Sequence, residues 1–346
     1  MKQIKVGVSG INAVDNPGPG IGVVRSLKED RDLEVYAVGL AYDAMDPGIY
    51  MDWLIDKAYI VPYPSVSEKD FISRILYIKE ATGVDVIIPT LDAELPIYIN
   101  SSEMLRDRGI KTFLPTREQF ELRGKTRLSE VARRIDILEP ESVNISSPSQ
   151  LPEAVESIGF PLMIKGLFYK AYLAHTYQEA VSYFHKIVSE WGYPVILQKV
   201  VRGEEMNVIG VGDGTGGDLG LVAIKKLWTT SLGKIWTGVT IKNQALLDAA
   251  KRFVREYKWK GAFELECIVD SNRLYLIEIN PRFPAWVYFS TGVGVNLPSR
   301  LVRAALGMDV ERGSDYEAGR LYVRYTYEVV TDMSAFQSIV MRGETG

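Results

Sequence analysis

Residues 260–283, KGAFELECIVDSNRLYLIEINPRF, decide how this chain is to be read. Apolar and polar side chains alternate on both sides of Asp270, Ser271 and Asn272, which are turn formers, so the stretch predicts two strands joined as a hairpin. The period of two puts Glu264 and Glu266 on one face of the first strand and Glu278 and Asn280 on one face of the second. Folding about Asn272 sets Glu266 opposite Glu278 and Glu264 opposite Asn280. Carboxylates facing each other across a sheet repel, and a shared cation offsets them. Oxygen donors of this kind suit Mg2+ or Mn2+. The other reading is a solvated face on an edge hairpin. Phe263, Leu265, Tyr275, Ile277 and Ile279 form the apolar face under either reading, and Cys267 reads as a small core residue.

On the N-terminal side, short apolar runs (IKVGVSG, LEVYAVGL, KAYIVPY, VDVIIPT, IKTFLPT) alternate with amphipathic stretches up to about residue 112, the pattern of βαβ units on a parallel sheet. Gly18, Gly20 and Gly22 precede the first helical pattern. They either present backbone N–H groups to an anion or simply make a tight turn, and the G-x-G-x-x-G spacing is not met. Residues 149–200 predict a small α+β lobe with strands FPLMIKG, YKAYLAH and PVILQKV. Beyond it, EMNVIGVG, GLVAIKKLW and KIWTGVT join the hairpin in a mainly antiparallel sheet.

Composition narrows the function. With 40 basic and 44 acidic residues the net charge is −4, which gives no field for phosphate-backbone binding and argues against nucleic acid as a partner. No apolar run reaches the roughly 18 residues that cross a bilayer, and MKQIKVGVSG enters a strand pattern at once, so a cytoplasmic protein without a membrane partner is expected. One cysteine, Cys267, and two histidines, His175 and His185, leave little for a disulfide framework, a zinc cage or a histidine triad. Gly124-Lys125-Thr126 is no P-loop, because the required upstream glycine is Gln119.

With these residues in place, E-x-N-P-R at 278–282 after an acidic strand resembles the metal signature of the ATP-grasp superfamily, and best its carbamoyl-phosphate-synthetase-like carboxylate–amine ligases. GINAVDNPGPGIGVVRSLK and VDVIIPTLDAEL resemble the preceding domain of that branch. The resemblance implies an α/β and α+β ATP-grasp architecture in three parts: a Rossmann-like pre-ATP-grasp domain over 1–115, a small lobe over 116–200, and a C-terminal lobe with the metal site over 201–346. It assigns Glu266, Glu278 and Asn280 to magnesium on the ATP phosphates. Arg282 is assigned to the transferring phosphoryl group, and Lys125 and Lys165 to the phosphates. Gln198 and the backbone of Lys199, Val200 and Val201 would meet adenine, and Glu205 the ribose. Read without the resemblance, Arg282 can be a salt-bridge partner, Lys165 a solvated charge, and Glu204 and Glu205 exposed turn acids. Either Lys225 or Lys226 could also face the phosphates.

Two departures from the family pattern stand out. The glycine-rich loop between the small-lobe strands is reduced to KGLFYKAYLAH with Gly166 alone, and the residue two before Glu266, basic in peptide-forming ligases, is Glu264. The leading expectation is an enzyme that activates a small-molecule or peptide carboxylate as an acyl phosphate and joins it to an amine, with a homodimer allowed. Trp286, Tyr288 and Phe289 would flank the substrate, with Gly292 and Gly294 admitting close backbone approach, or else the aromatics are core. The competing expectations are an ATP-binding module with impaired turnover and, from the N-terminal glycines, an oxidoreductase.

Overall fold

The computed structural model describes the chain apart from residues 1–2, 15, 168–169, 232 and 327, and at 14 and 16 the backbone alone. Two compact units emerge: Met1–Phe120 with Asn207–Glu264 and Asn280–Gly346, and Glu121–Met206 with Leu265–Ile279.

In the first unit, Ile4–Val8 (β1), Val35–Ala41 (β2), Lys57–Ile60 (β3) and Val86–Ile88 (β4) form a parallel sheet in the order β3-β2-β1-β4. Val6, Val8, Ala37, Val38 and Val86 are fully buried, as continuous apolar strands covered on both faces should be. The strand order reverses direction between β1 and β4, and this is the place where open α/β sheets present functional side chains. Here a buried carboxylate, Glu94, fills it. Glu94 accepts from Ser9 Oγ and Tyr42 OH, and from the backbone N–H of Thr90 (2.9 Å) and Leu91 (3.0 Å). Burial raises its pKa, and those four donors pull against the rise.

The glycine loop serves packing. Gly18 caps the helix Pro19–Lys28, its N–H donates to Asn12 O at 2.7 Å, and the Gly20 N–H donates to Gly10 O at 2.9 Å. A Cβ on Gly20 would stand far inside contact distance of Ser9 O. These two N–H groups are engaged by backbone carbonyls, which counts against the anion cradle, and Gly20 and Gly22 lie inside the first helix rather than in a turn before it.

The larger sheet comprises Glu204–Asp213 (β9), Asp218–Thr229 (β10), Ile235–Ile241 (β11), Lys260–Asp270 (β12), Arg273–Asn280 (β13) and Leu321–Val323 (β14), in the order β13-β12-β9-β10-β11-β14. One core joins Val6, Val8 and Val24 to Val222, Ile224, Trp286 and Leu297. That shared core explains why sequence regions separated at residues 115 and 200 fall together in one unit. Trp286 and Phe289 are 2% and 5% exposed members of it, so these two expected substrate-flanking aromatics are core residues. Tyr288 instead lies under the Arg25 guanidinium at 3.6 Å, with its hydroxyl donating to Glu29.

The second unit holds an antiparallel sheet of Ser142–Ile145 (β5), Leu162–Lys165 (β6), Ala171–Ala174 (β7) and Val195–Lys199 (β8), in the order β5-β8-β6-β7. The helices Leu151–Ile158 and Tyr177–Trp191 cover it through Val155, Ile158, Phe184 and Ile187. The outer part of the β12–β13 hairpin belongs to this unit. Leu138 donates to Leu274 O and its carbonyl accepts from Leu276 N–H, each at 2.8 Å. Ser271 and Asn272 turn the hairpin at φ of 48° and 74°, the left-handed pair that a two-residue hairpin loop requires. Among the described residues no helix is long and apolar enough to cross a membrane.

Gly20→Ala tests the packing role. The added methyl meets backbone rather than a flexible side chain, so a loss of about 2–3 kcal/mol is expected in denaturant unfolding.

Candidate nucleotide and metal site

The second unit gathers two lysines and three carboxylates. Lys165 ends β6 at 8% exposure, and its Nζ donates to Gln198 Oε1 at 2.5 Å. Gln198, itself 5% exposed, donates through Nε2 to Ser142 Oγ at 3.0 Å, so its amide orientation is set by neighbours on both sides. Lys125 donates to Gly166 O at 3.1 Å. Burial, and then the neighbouring Lys125 cation, bring the Lys165 pKa down to about 8, against the pull of Glu278, Glu139 and Glu266. Burial likewise lowers the Lys125 pKa, opposed by Glu278. The charges of Glu266 and Glu278 both act on Lys165. Lys165 is therefore no solvated charge. Glu139, absent from the sequence reading, belongs with this group. Burial raises its pKa, while a hydrogen bond with the Ser129 side chain and the Lys165 cation lower it.

The first unit carries the continuation of the same two strands. Glu264 is 2% exposed and accepts from Asn207 Nδ2 (2.7 Å), Trp286 Nε1 (2.7 Å) and Asn280 Nδ2 (3.0 Å). The expected facing of Glu264 and Asn280 is thus present, with three neutral N–H donors on this carboxylate. Asn280, 7% exposed, directs Oδ1 toward Arg282 Nη2 at 3.3 Å. Arg282 donates from Nε to Asp92 Oδ2 at 3.0 Å, with Nη2 at the same distance from that oxygen and Nη1 bonding Phe283 O at 3.4 Å. The salt-bridge reading of Arg282 therefore holds as geometry, with Asp92 as a partner that the sequence reading did not name. Asp92 lies in TLDAEL, two residues before Glu94, which ties that loop to β1. The motif was visible in the sequence, but nothing local linked it to an arginine 190 positions away.

The remaining assignments are placed as follows. Lys199 donates its backbone N–H to Glu141 O at 2.8 Å, so of the three hinge residues this one has no N–H left for adenine. Val200 and Val201 are half-buried beyond the strand end, and Glu204 and Glu205 are exposed at the start of β9. The β6–β7 connection is short: Gly166 N–H donates to Lys170 O at 3.2 Å and Lys170 adopts a φ of 69°. Phe168 and Tyr169 of this loop lie outside the described residues. Cys267 is buried, with its thiol pKa pushed far up by desolvation, and acts as packing.

In the second unit Glu266 and Glu278 are carboxylates of the hard-oxygen kind that magnesium takes, and in the first unit Glu264 holds the amide nitrogen of Asn280. Among the described residues no three His, Cys, Asp or Glu side chains form a complete cage. An ion that keeps several waters and binds through one or two carboxylates plus phosphates needs none.

Comparison with known proteins agrees with this architecture. A family model described as "ATP-grasp in the biosynthetic pathway with Ter operon" matches residues 193–328. Biotin carboxylase from Campylobacter jejuni superposes with a TM-score of 0.68 at 16% identity, covering 88% of this chain and 71% of that one. N5-carboxyaminoimidazole ribonucleotide synthetase from Thermus thermophilus gives 0.67 at 15% identity, covering 90% and 81%. At such identities these likenesses establish the fold. The chain has the ATP-grasp fold, and the family match lies within residues 193–328.

In sequence the chain is similar to carbamoyl phosphate synthase large chains. It is 24% identical over 282 residues to that of Clostridium botulinum (strain Eklund 17B / Type B), covering 73% of this chain and 26% of the other. It is 22% identical over 320 residues to the C-terminal section from Methanopyrus kandleri, covering 80% and 58%. The chain thus spans about a quarter of the length of the first of these relatives.

Lys165 gives a pH test. Its pKa falls from 10.5 to about 8 on folding, a change equivalent to about 3 kcal/mol. Below the lower value both folded and unfolded chains hold the proton. Between the two values the unfolded chain binds it and the folded chain does not, so stability contributed at this site rises with pH across that window. Denaturant unfolding of wild type and Lys165→Met, measured at pH 7 and 10.5, is expected to show the difference moving toward the wild type by about 3 kcal/mol. A constant difference would mean an ordinary lysine.

Proposed function

We propose that the protein is an ATP-dependent ligase that activates a carboxylate as an acyl phosphate and joins it to an amine, releasing ADP and phosphate. The observation that carries the reading is that half-buried Lys125 and buried Lys165, bonded to Gly166 O and Gln198 Oε1, lie in one unit with Glu266 and Glu278, whose charges act on Lys165. Two cations pressed together in a desolvated place, with carboxylates in reach, suit a polyphosphate and its divalent ion. Glu266, Glu278 and Asn280 would hold Mg2+, or Mn2+ in its place. That ion, when bound, neutralises charge on the phosphates and orients the γ-phosphoryl group.

The chain's own residues then have the following roles. Lys125 and Lys165 bind phosphate oxygens, and an anion there raises both depressed pKa values, so each lysine is held protonated. Gln198 fixes the Lys165 ammonium. The carbonyl of Lys199 and the backbone of Val200 and Val201 line the adenine position, and Glu205 meets the ribose. A substrate carboxylate oxygen attacks the γ-phosphorus as the bond to the β-phosphate bridging oxygen breaks. Arg282, held by Asp92, offers its guanidinium to the charge that develops on the transferring group. The amine then attacks the acyl carbon, phosphate departs with the bonding electrons, and the amine proton leaves to solvent. No side-chain nucleophile is used, in keeping with two histidines and one cysteine.

A second reading is favoured by one observation, the few residues between β6 and β7, whose ends meet where Gly166 N–H donates to Lys170 O. A short loop covers phosphates less completely, and the chain would then bind ATP without turning it over.

Measuring ADP release with a panel of carboxylic acids and amines separates the two. The ligase reading expects ADP from at least one acid–amine pair, with Arg282→Ala lowering kcat by about 10²–10³-fold. Magnesium-dependent nucleotide binding without ADP under every mixture supports the second reading. Glu278→Gln is expected to weaken magnesium-dependent nucleotide affinity, and affinity unchanged by it would refute both.

A further inference from the structure

Glu264 sits where two strands and a loop present nitrogen donors to a single buried carboxylate. Its Oε1 accepts from Asn207 Nδ2 and Trp286 Nε1, and its Oε2 accepts from Asn280 Nδ2. A side-chain amide has one donor end and one acceptor end, and the neighbours decide which faces which way. Rotating the Asn280 amide by half a turn would set Oδ1 against Glu264 Oε2 and Nδ2 against the Arg282 guanidinium. Both are mismatches between like partners, acceptor with acceptor and donor with donor.

Asn207 shows how strongly this carboxylate orders its surroundings. Asn207 is 1% exposed, and its Oδ1 is buried without a hydrogen-bond partner while its Nδ2 meets Glu264. The Asn207 amide leaves its own oxygen unsatisfied rather than turn it toward the charge.

We infer that Glu264 is a positioning residue that locks the Asn280 amide with its oxygen presented to the divalent cation. The inference rests on the proposal that Asn280 ligates that ion. Second-sphere partners of this kind fix a ligand's orientation, and their loss commonly costs about 10–100-fold in metal affinity.

The geometry makes a specific demand on substitutions. In Glu264→Gln, the new carbonyl oxygen keeps the two donors Asn207 and Trp286, and the new NH2 points at Asn280. The Asn280 amide must then turn its oxygen inward and offer NH2 to the cation. Adding Asn280→Asp reverses the damage, since an aspartate accepts from the new NH2 with one oxygen and presents the other outward. The double variant keeps the same number of hydrogen bonds as the wild type.

The test measures Mn2+ binding to the full chain in the presence of ADP by electron paramagnetic resonance, a readout independent of turnover, with circular dichroism and thermal melting confirming the fold. The expected result is a Kd for Mn2+ raised about 10–100-fold in Glu264→Gln. In Glu264→Gln/Asn280→Asp it returns to within about twofold of the wild type. Unchanged affinity in a folded Glu264→Gln overturns the inference. So does a double variant no better than Glu264→Gln, because a merely structural role gives no reason for rescue at Asn280. If Glu264→Gln alone does not fold, the double variant decides against Asn280→Ala: wild-type affinity upholds the inference, and affinity as weak as that of Asn280→Ala overturns it. A wild type that binds no Mn2+ with ADP overturns the ligand assignment itself, and is thereby distinguished from failure of the positioning role alone.

Discussion

A carboxylate removed from water must be met by donors or by a cation, and Glu264 draws in three side-chain N–H donors. Asn207, Trp286 and Asn280 bring N–H groups from β9, from the loop after the hairpin and from the adjoining strand, so one desolvated charge fastens three separate parts of the chain. From Asn280 the connection continues through Arg282 to Asp92, and from that loop through Glu94 to Ser9 and Tyr42. A run of polar side chains thus ties the C-terminal sheet to the parallel sheet across the first unit. Each member is oriented by the one before it. Such a network is stable only when its members are satisfied together, so it specifies a single arrangement more strictly than an apolar contact of the same area.

The second unit solves the opposite electrostatic problem. Lys125 and Lys165 are desolvated beside each other, and the folded chain holds them against their preference for water, with Glu278 and Glu266 only partly compensating. Desolvation of this kind costs stability, a trade that functional sites characteristically carry. Gly166, just past the end of β6, belongs to the same region: its carbonyl accepts from Lys125 and its N–H donates to Lys170 O.

Much of the architecture was legible because it depends on local periodicity. Alternation fixed the hairpin and the shared faces of Glu264 with Glu266 and of Glu278 with Asn280. Continuous apolar runs marked the parallel strands, and the order of motifs matched the superfamily. The facing of Glu264 and Asn280 followed from the same alternation once the hairpin was centred near Asn272. The glycine loop was readable only as two alternatives. Whether the N–H groups of Gly18 and Gly20 face a ligand or backbone depends on where Asn12 and Gly10 place their carbonyls, and no spacing rule contains that.

What the sequence determined by itself is the set of elements and the residue types available for chemistry, since these follow from side-chain period, turn formers and the scarcity of His and Cys. Tertiary structure alone decided the partners. Glu264 was read as one of a cluster of acids that need a cation, yet its donors come from positions 207 and 286. Arg282 found Asp92 far along the chain, and Trp286 and Phe289 became core rather than pocket. A hydrogen bond or an ion pair acts over a few ångströms, and chain separation says nothing about that distance until the sheets have packed.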